Sequence, residues 1–465
     1  MGGEHCFRYA SGYRGISFAE RSVSLVWCPL ELGRATNAGG GPQHDWLRRS
    51  GMRLVVHDYS GHPGQIRLSR ELARRGHHVQ HQFCGSFVTG QGATQRRAGD
   101  PESFTILPIH LRSQFRRYSP IVRVCQEIQY GVKATRALLG HSPDLVVLSN
   151  VPLLSLLMMS TALGMCGVGY VFWQQDVYSE AIDAIARRRL GRIGGVIGWL
   201  AARCERHVAR SAAAVVPISG AFVDELDGWG VHSRAIHVIP NWAAIDEMPL
   251  RHKDNAWARA HQLTDVPVVM YAGTLGWKHD PAAIADLARS LPSETRVLVV
   301  SQGKGREWLE ERAGGISNLT LVDYQPYEQL PDVLATADVL LVLLERDASR
   351  YSVPSKVLNY LCAGRSILAL LPEENAVSDT IAAAGAGLVV APGDLESATA
   401  ALGDLLSDPS RRQRMGIDAR NYAERNFDIV NVGDRFDTVF SQSISLARRS
   451  GRFTRFILGG RSCAS

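Results

Sequence analysis

Short apolar runs bounded by glycine and proline recur along most of the chain, with stretches of helical period between them. Arg53–Val56 reads as a first strand, Gly61–Gly64 as a loop, and Gln65–Arg75 as a helix with Leu68, Leu72 and Ala73 on one side. Gly76 stops that helix, and His78–Phe83 reads as the next strand. Strand, glycine loop, helix and strand in that order open a doubly wound α/β domain. Further strands are predicted at Leu145–Ser149, Gly169–Trp173, Ala214–Ile218 and His237–Ile239. A second unit starts at Val266. There Val268–Tyr271 is a strand, Gly273–Lys278 a loop, and Asp280 caps a helix that Pro281 opens. Ile284, Leu287, Ala288 and Leu291 keep helical spacing within it, and strands follow at Arg296–Ser301, Leu319–Val322, Val339–Leu343, Ile367–Leu370 and Gly387–Val390.

The fold class is therefore α/β, with two Rossmann-like doubly wound domains facing across a cleft. Residues 1–51 read as an N-terminal extension, 52–240 as the first domain, and 241–265 as a polar linker bearing Trp and His. Residues 266–425 form the second domain. Residues 426–465 are a C-terminal helix, to about Arg448, and a basic Gly/Ser-rich tail.

Composition sharpens this picture in three places. With 465 residues, 45% hydrophobic and 21% charged, the chain is a two-domain globular protein rather than a disordered or fibrous one. A net charge of +6 spread over that length does not argue for nucleic acid. Eight cysteines without a Cys-x-x-Cys spacing fit a reduced cytoplasmic compartment. The uncharged stretch Val151–Trp173 is long enough for a bilayer. Pro152 opens a helix over Leu153–Leu163 instead, glycines break it, and a buried strand follows.

Only five of the basic residues are lysines, which singles out Lys278 and Lys356. In Ser352–Leu361, Pro354 starts a short helix that Gly364 ends, so Lys356 falls in its first turn. The helix dipole disfavours a cation there, and the free N–H groups favour an anion. Lys356 is thus either drawn to a phosphate or solvated beside Glu345 or Asp347. Gly273, Thr274 and Gly276 sit where a strand delivers its end to a ligand, just before Lys278. Together the two loops form a clamp for a diphosphate. Asp176, after the strand Gly169–Trp173, either receives a proton or caps the helix starting near Tyr178. His77, His78 and His81 do not make a metal site, because alternation sends the first two to opposite faces of the strand and no carboxylate is placed to complete the set. Seven arginines in Arg187–Arg210 flank Ile193, Val196, Ile197 and Leu200. That amphipathic segment either lies on an anionic membrane or packs into the first domain's core.

Gly273–Lys278, Asp323–Asp338, Ser352–Gly364 and Gly385–Asp394 resemble glycosyltransferase family 4, closest to the capsule, O-antigen and colanic-acid-type sugar transferases. In the first half, Asp58–Val79, Phe172–Tyr178, Val216–Ser219 and Val238–Trp242 match the same branch in order, from about Met52 to Asp428 overall. The resemblance implies a GT-B fold and a retaining transferase in surface polysaccharide synthesis. Its co-substrate would be a nucleotide-diphosphate sugar, UDP-linked, with no further cofactor. The diphosphate would meet Gly61 and Gly64 from the first domain and Gly273, Thr274, Gly276, Lys278, Ser355 and Lys356 from the second. The base and ribose would lie by Tyr324, Gln325, Pro326 and Asn359, with Asp176 catalytic on the acceptor side. The acceptor would be a lipid-linked or other saccharide, which places the chain in the cytoplasm at the inner face of the membrane. The family's pair of glutamates separated by seven residues is absent, with Tyr351 and Asn359 in those positions. Two alternatives stay open: a sugar-nucleotide epimerase on the same fold, and a non-catalytic partner of another transferase.

Overall fold

The apolar runs form two six-stranded sheets in which every pair is parallel. The computed structural model describes residues 51–86, 91–112, 120–276, 279–346 and 354–449. The first sheet contains β1 (Arg53–Asp58), β2 (His78–Cys84), β3 (Phe104–Ile109), β4 (Leu145–Ser149), β5 (Gly169–Gln174) and β6 (Ala214–Pro217), in the order β3-β2-β1-β4-β5-β6. The second contains β7 (Val268–Ala272), β8 (Arg296–Val300), β9 (Leu319–Val322), β10 (Val339–Leu343), β11 (Ser366–Leu370) and β12 (Gly387–Val390), in the order β12-β11-β10-β7-β8-β9. Read from its other edge, the second order is the first repeated. β4, β7 and β10 are buried at every position. Helices on both faces of a parallel sheet require such unbroken apolar runs.

In each sheet the order reverses once, between β1 and β4 and between β7 and β10. Right-handed crossovers then carry the chain away from that point in opposite directions. The helices that matter below are α1 (Pro63–Arg74), α2 (Pro120–Gly140), α3 (Leu153–Met165), α4 (Tyr178–Leu190) and α5 (Arg192–Ser211) in the first half. In the second they are α6 (Pro281–Ser290), α7 (Lys304–Arg312), α8 (Lys356–Ala363) and α9 (Ile429–Arg449). Asp280 caps α6 through Ala282 N–H at 2.9 Å, as its sequence predicts.

Two expectations change. His237–Ile239 is not a strand. It lies along the edge of β6, with His237 N–H on Val215 O and Ile239 N–H on Pro217 O, but Pro217 has no N–H to return the ladder. β3, in turn, has no counterpart among the predicted strands. It tolerates Pro108 because it is the edge strand, paired only with β2. The stretch Val151–Trp173 divides into α3 and β5, and among the described residues no helix is long and apolar enough to cross a membrane.

Residues 241–265, polar by composition, nonetheless bury Trp242, Met248, Trp257 and Leu263 in one continuous apolar cluster with side chains of both halves. The polar groups there make specific contacts. Asp246 pairs with Arg67, Glu247 with Arg97, and the Lys253 ammonium with Asp338. Helix α9 then returns to the first sheet. Its Phe436 meets the Trp173 ring edge-on at 4.8 Å, and Trp173 stacks on Trp242 at 5.4 Å. Arg75 ties the same helix down through Asp434 at 2.7 Å and Asp437 at 2.9 Å. Phe436→Ala should therefore lower the unfolding free energy by about 3–5 kcal/mol. Urea denaturation measures this, and a loss below about 1 kcal/mol would show that α9 adds little to the first domain.

Candidate active site

Polar side chains gather at the two reversal points. Strands β7 and β10 part there, and the loop after β7 meets the start of α8. Gly273 adopts φ 138°, and a Cβ built on it would lie 3.3 Å from Lys356 Cε and 3.5 Å from Nζ. The lysine therefore occupies the space that the missing side chain leaves. Lys356 is the first residue of α8, with Ser355 exposed before it and Gly364 ending the helix at φ 63°. Its ammonium stands 3.7 Å from the centre of the Tyr271 ring and donates to the Tyr271 hydroxyl. The Tyr271 hydroxyl donates onward to Thr274 O at 2.9 Å. Gly276 N–H is held by His279 Nδ1 at 3.0 Å, and Lys278 lies outside the described residues. The Tyr360 hydroxyl of α8 closes the ring of contacts, accepting from Ala272 N–H at 3.0 Å and donating to Ala272 O at 2.9 Å.

A second glycine loop supports the first. Leu275 N–H binds Gln302 O at 3.0 Å, and Gly305 N–H binds Leu275 O at 2.8 Å. A Cβ on Gly303 would approach Leu275 O to 2.9 Å, so the close passage of the two loops needs glycine there. Sequence reasoning passed over Gln302–Gly305, although a strand, two glycines, Lys304 and a helix repeat the signal used for Gly273.

At the end of β9, Tyr324 leaves 38% of its surface exposed. Gln325 is engaged in the fold. Its Oε1 accepts from Trp257 Nε1 at 3.1 Å and its Nε2 donates to Asp323 O at 2.8 Å. Pro326 begins the following turn of 3₁₀ helix, Asn359 is half-buried on α8, and Tyr351 lies outside the described residues.

The other reversal point, between β1 and β4, centres on a carboxylate that sequence reasoning did not single out. Asp58 ends β1 fully buried and accepts from Asn150 Nδ2 at 2.7 Å, Ser60 Oγ at 3.0 Å and the His62 N–H at 2.5 Å. Gly61, at φ 68°, and Asn150, at φ 54°, supply the turns that allow this. Burial raises the Asp58 carboxyl above its usual range, against those hydrogen bonds, and burial lowers His62. His62 caps α1 through Gly64 N–H at 3.3 Å, and a Cβ on Gly64 would reach Trp242 O at 3.0 Å. Asp176 is half-buried just past the end of β5.

The first N–H groups of α4 go to a residue from the next helix. Glu205 of α5, fully buried, accepts from Tyr178 N–H at 3.0 Å and Ser179 N–H at 2.7 Å. Glu205 thus caps α4 at these two N–H groups. Burial, and secondarily the charge of Asp176, pushes the Glu205 carboxyl up to about 7.

Helices α4 and α5 invert the usual amphipathic arrangement. Gly194 and Gly198 face α4 so closely that a Cβ would lie 2.1 Å from Ala186 O and 1.8 Å from Asp183 Oδ1. With the small residues turned inward, Ile193 (69% exposed), Trp199 (61%), Val196 and Leu200 point outward. Of the two readings of this segment, packing of Ile193, Val196, Ile197 and Leu200 into the first domain's core is the one not met, because glycines occupy the packed face.

Comparison with known proteins defines the class. A model described as glycosyl transferase 4-like domain matches residues 66–242, and one described as glycosyl transferases group 1 matches 254–422. The chain belongs to the GT-B glycosyltransferases. It is 28% identical over 280 residues to the colanic acid biosynthesis glycosyl transferase WcaI of Escherichia coli (strain K12), covering 58% of this chain and 67% of that one. The fold is shared with sucrose-phosphate synthase of Thermosynechococcus elongatus (TM-score 0.64, 15% identity, 84% and 99% of the two chains). It is also shared with Anabaena HepE, solved with UDP and glucose (TM-score 0.61, 15% identity, 84% and 99%).

The raised carboxyl of Glu205 has a consequence for stability. Its contribution is fully present below pH 4.5, the ordinary value for glutamate, and is lost as pH rises through about 7. Glu205→Gln should remove this loss, so the variant gains on the wild type by on the order of 3 kcal/mol between pH 4.5 and 7.5. Urea titrations at the two pH values give the difference, and parallel curves would mean that Glu205 titrates normally.

Proposed function

We propose that the chain transfers a sugar, with retention of anomeric configuration, from a UDP-linked donor to a lipid-linked saccharide in surface polysaccharide synthesis, at the inner face of the membrane. The observation that carries this reading is the Lys356 ammonium set against Gly273 at the β7–β10 reversal. A cation, a helix start and glycine backbone converge there, as a diphosphate requires. Gly273, Thr274, Gly276, Lys278, Ser355 and Lys356 hold the two phosphates, and Gly61 and Gly64 close on them from the first domain. The exposed ring of Tyr324 carries the base, with Gln325 and Pro326 shaping its edge and Asn359 bonding the ribose. That HepE was solved with UDP and with glucose is in keeping with such a donor.

In the reaction the acceptor hydroxyl attacks the anomeric carbon on the face that the diphosphate leaves. The bond from that carbon to the phosphate oxygen breaks, and the electron pair departs with the diphosphate. Lys356 and the start of α8 stabilise the charge that develops there. Asp176 receives the hydroxyl proton. With purified enzyme, UDP-sugars and a bacterial lipid extract, mass spectrometry should show one sugar added to the lipid fraction. Asp176→Asn should slow this by roughly 10²–10⁴ at unchanged donor KM. Near-normal turnover in a stable variant removes Asp176 from the chemistry, and a changed sugar in the donor alone would favour an epimerase.

The membrane contact is supported by the outward row of α4 and α5, where Ile193, Val196, Trp199 and Leu200 stand among Arg187, Arg188, Arg189 and Arg192. Apolar side chains enter the interface and arginines meet anionic headgroups. The chain should sediment with vesicles of anionic lipid and not with zwitterionic ones. Ile193→Ser with Trp199→Ser should release it at least tenfold. Equal sedimentation of the variant would exclude this surface.

A further inference from the structure

The Tyr271 side chain has no part in the donor contacts above, yet it touches Lys356, a cation on which they depend. It is fully buried on β7, with the Lys356 ammonium 3.7 Å from the ring centre, on the hydroxyl side. The phenol has a single proton, which goes to Thr274 O at 2.9 Å. Its lone pairs are therefore turned to the lysine, which donates to it. Burial keeps the phenol neutral by raising its ionisation well above the ordinary value. The direction of the relay, from lysine to phenol to loop carbonyl, is thereby fixed.

A lysine side chain is long and loses rotamer freedom when it binds a phosphate. At the first position of a helix it is also repelled by the dipole. The ring and the hydroxyl together oppose both effects, since each attracts the ammonium to one place beside Gly273. The same hydroxyl ties down Thr274, so the lysine and the glycine loop share a single anchor.

We propose that Tyr271 is a positioning residue that sets the Lys356 ammonium in register with the glycine loop, and so tunes selection of the diphosphate. The proposal rests on the reading of Lys356 as a phosphate ligand. The test is calorimetric, on the full chain, with UDP, GDP and the two nucleosides as probes. Lys356→Ala should weaken diphosphate binding about tenfold or more and spare the nucleosides. Tyr271→Phe, which keeps the ring and loses the hydroxyl, should weaken it about three- to tenfold, again sparing the nucleosides. In the Lys356→Ala background, Tyr271→Phe should have no further effect, because the cation it places is gone. An equal loss in both backgrounds would show that Tyr271 acts on the fold alone and would overturn the proposal. So would unchanged diphosphate binding in the single Tyr271→Phe variant. If Lys356→Ala binds the diphosphate normally, or the wild type binds neither nucleotide, the donor-site reading itself fails. A Tyr271→Phe variant that does not fold makes Tyr271 a core residue and likewise overturns the proposal.

Discussion

Every strand of a parallel sheet points the same way, so all the carboxyl ends lie along one edge. Crossovers of one hand then lead neighbouring chains apart only where the strand order reverses. This chain has two such reversals, one per sheet, and each concentrates groups that are hard to place elsewhere. At β7 and β10 they are a cation and a glycine backbone. At β1 and β4 they are a buried carboxylate with its donors. The remaining architecture holds those edges steady. The apolar residues between the halves are buried in a shared core, and α9 returns from the far end of the chain to clamp the first sheet.

Asp58 and Glu205, both fully buried in the first half, are structural by geometry. Desolvation disfavours their charge, as the upward shifts of Asp58 and Glu205 show. What compensates is the number of donors each collects. Asp58 draws the end of β1, the loop at Gly61 and the turn at Asn150 to one point, and Glu205 fixes α5 to the start of α4. Removing either would leave backbone N–H groups without partners.

Much of this was legible beforehand, and the failures have specific causes. Strands buried on both faces announce themselves as unbroken apolar runs, and Leu145–Ser149 and Val339–Leu343 were read to the residue. At the edges the signal is uneven: Leu319–Val322 and Gly387–Val390 were also read to the residue, but β3 carries a proline and was missed, and His237–Ile239 borrows carbonyls from a strand that cannot reciprocate. The meeting of Lys356 with Gly273 followed from a local oddity, a cation at a helix start. Asp58, Asn150 and Glu205 left no such trace. Their roles come from contacts across 92 and 26–27 positions, which no local pattern records.

The reversed packing of α4 and α5 connects the two ends of the first domain. A helix whose small residues face its partner leaves its large apolar residues to the outside, and that would be a liability for a protein in water. Here it is coupled to precision within. The close approach at Gly194 and Gly198 is what brings Glu205 deep enough to reach Tyr178 and Ser179, two and three residues beyond Asp176. A larger residue at Gly198 would have to displace Asp183, and α5 would move outward with it. Glu205 would then lose the α4 N–H groups, and the chain after β5 would lose its hold on Asp176. The exposed apolar row and the placement of Asp176 are thus two results of one packing choice.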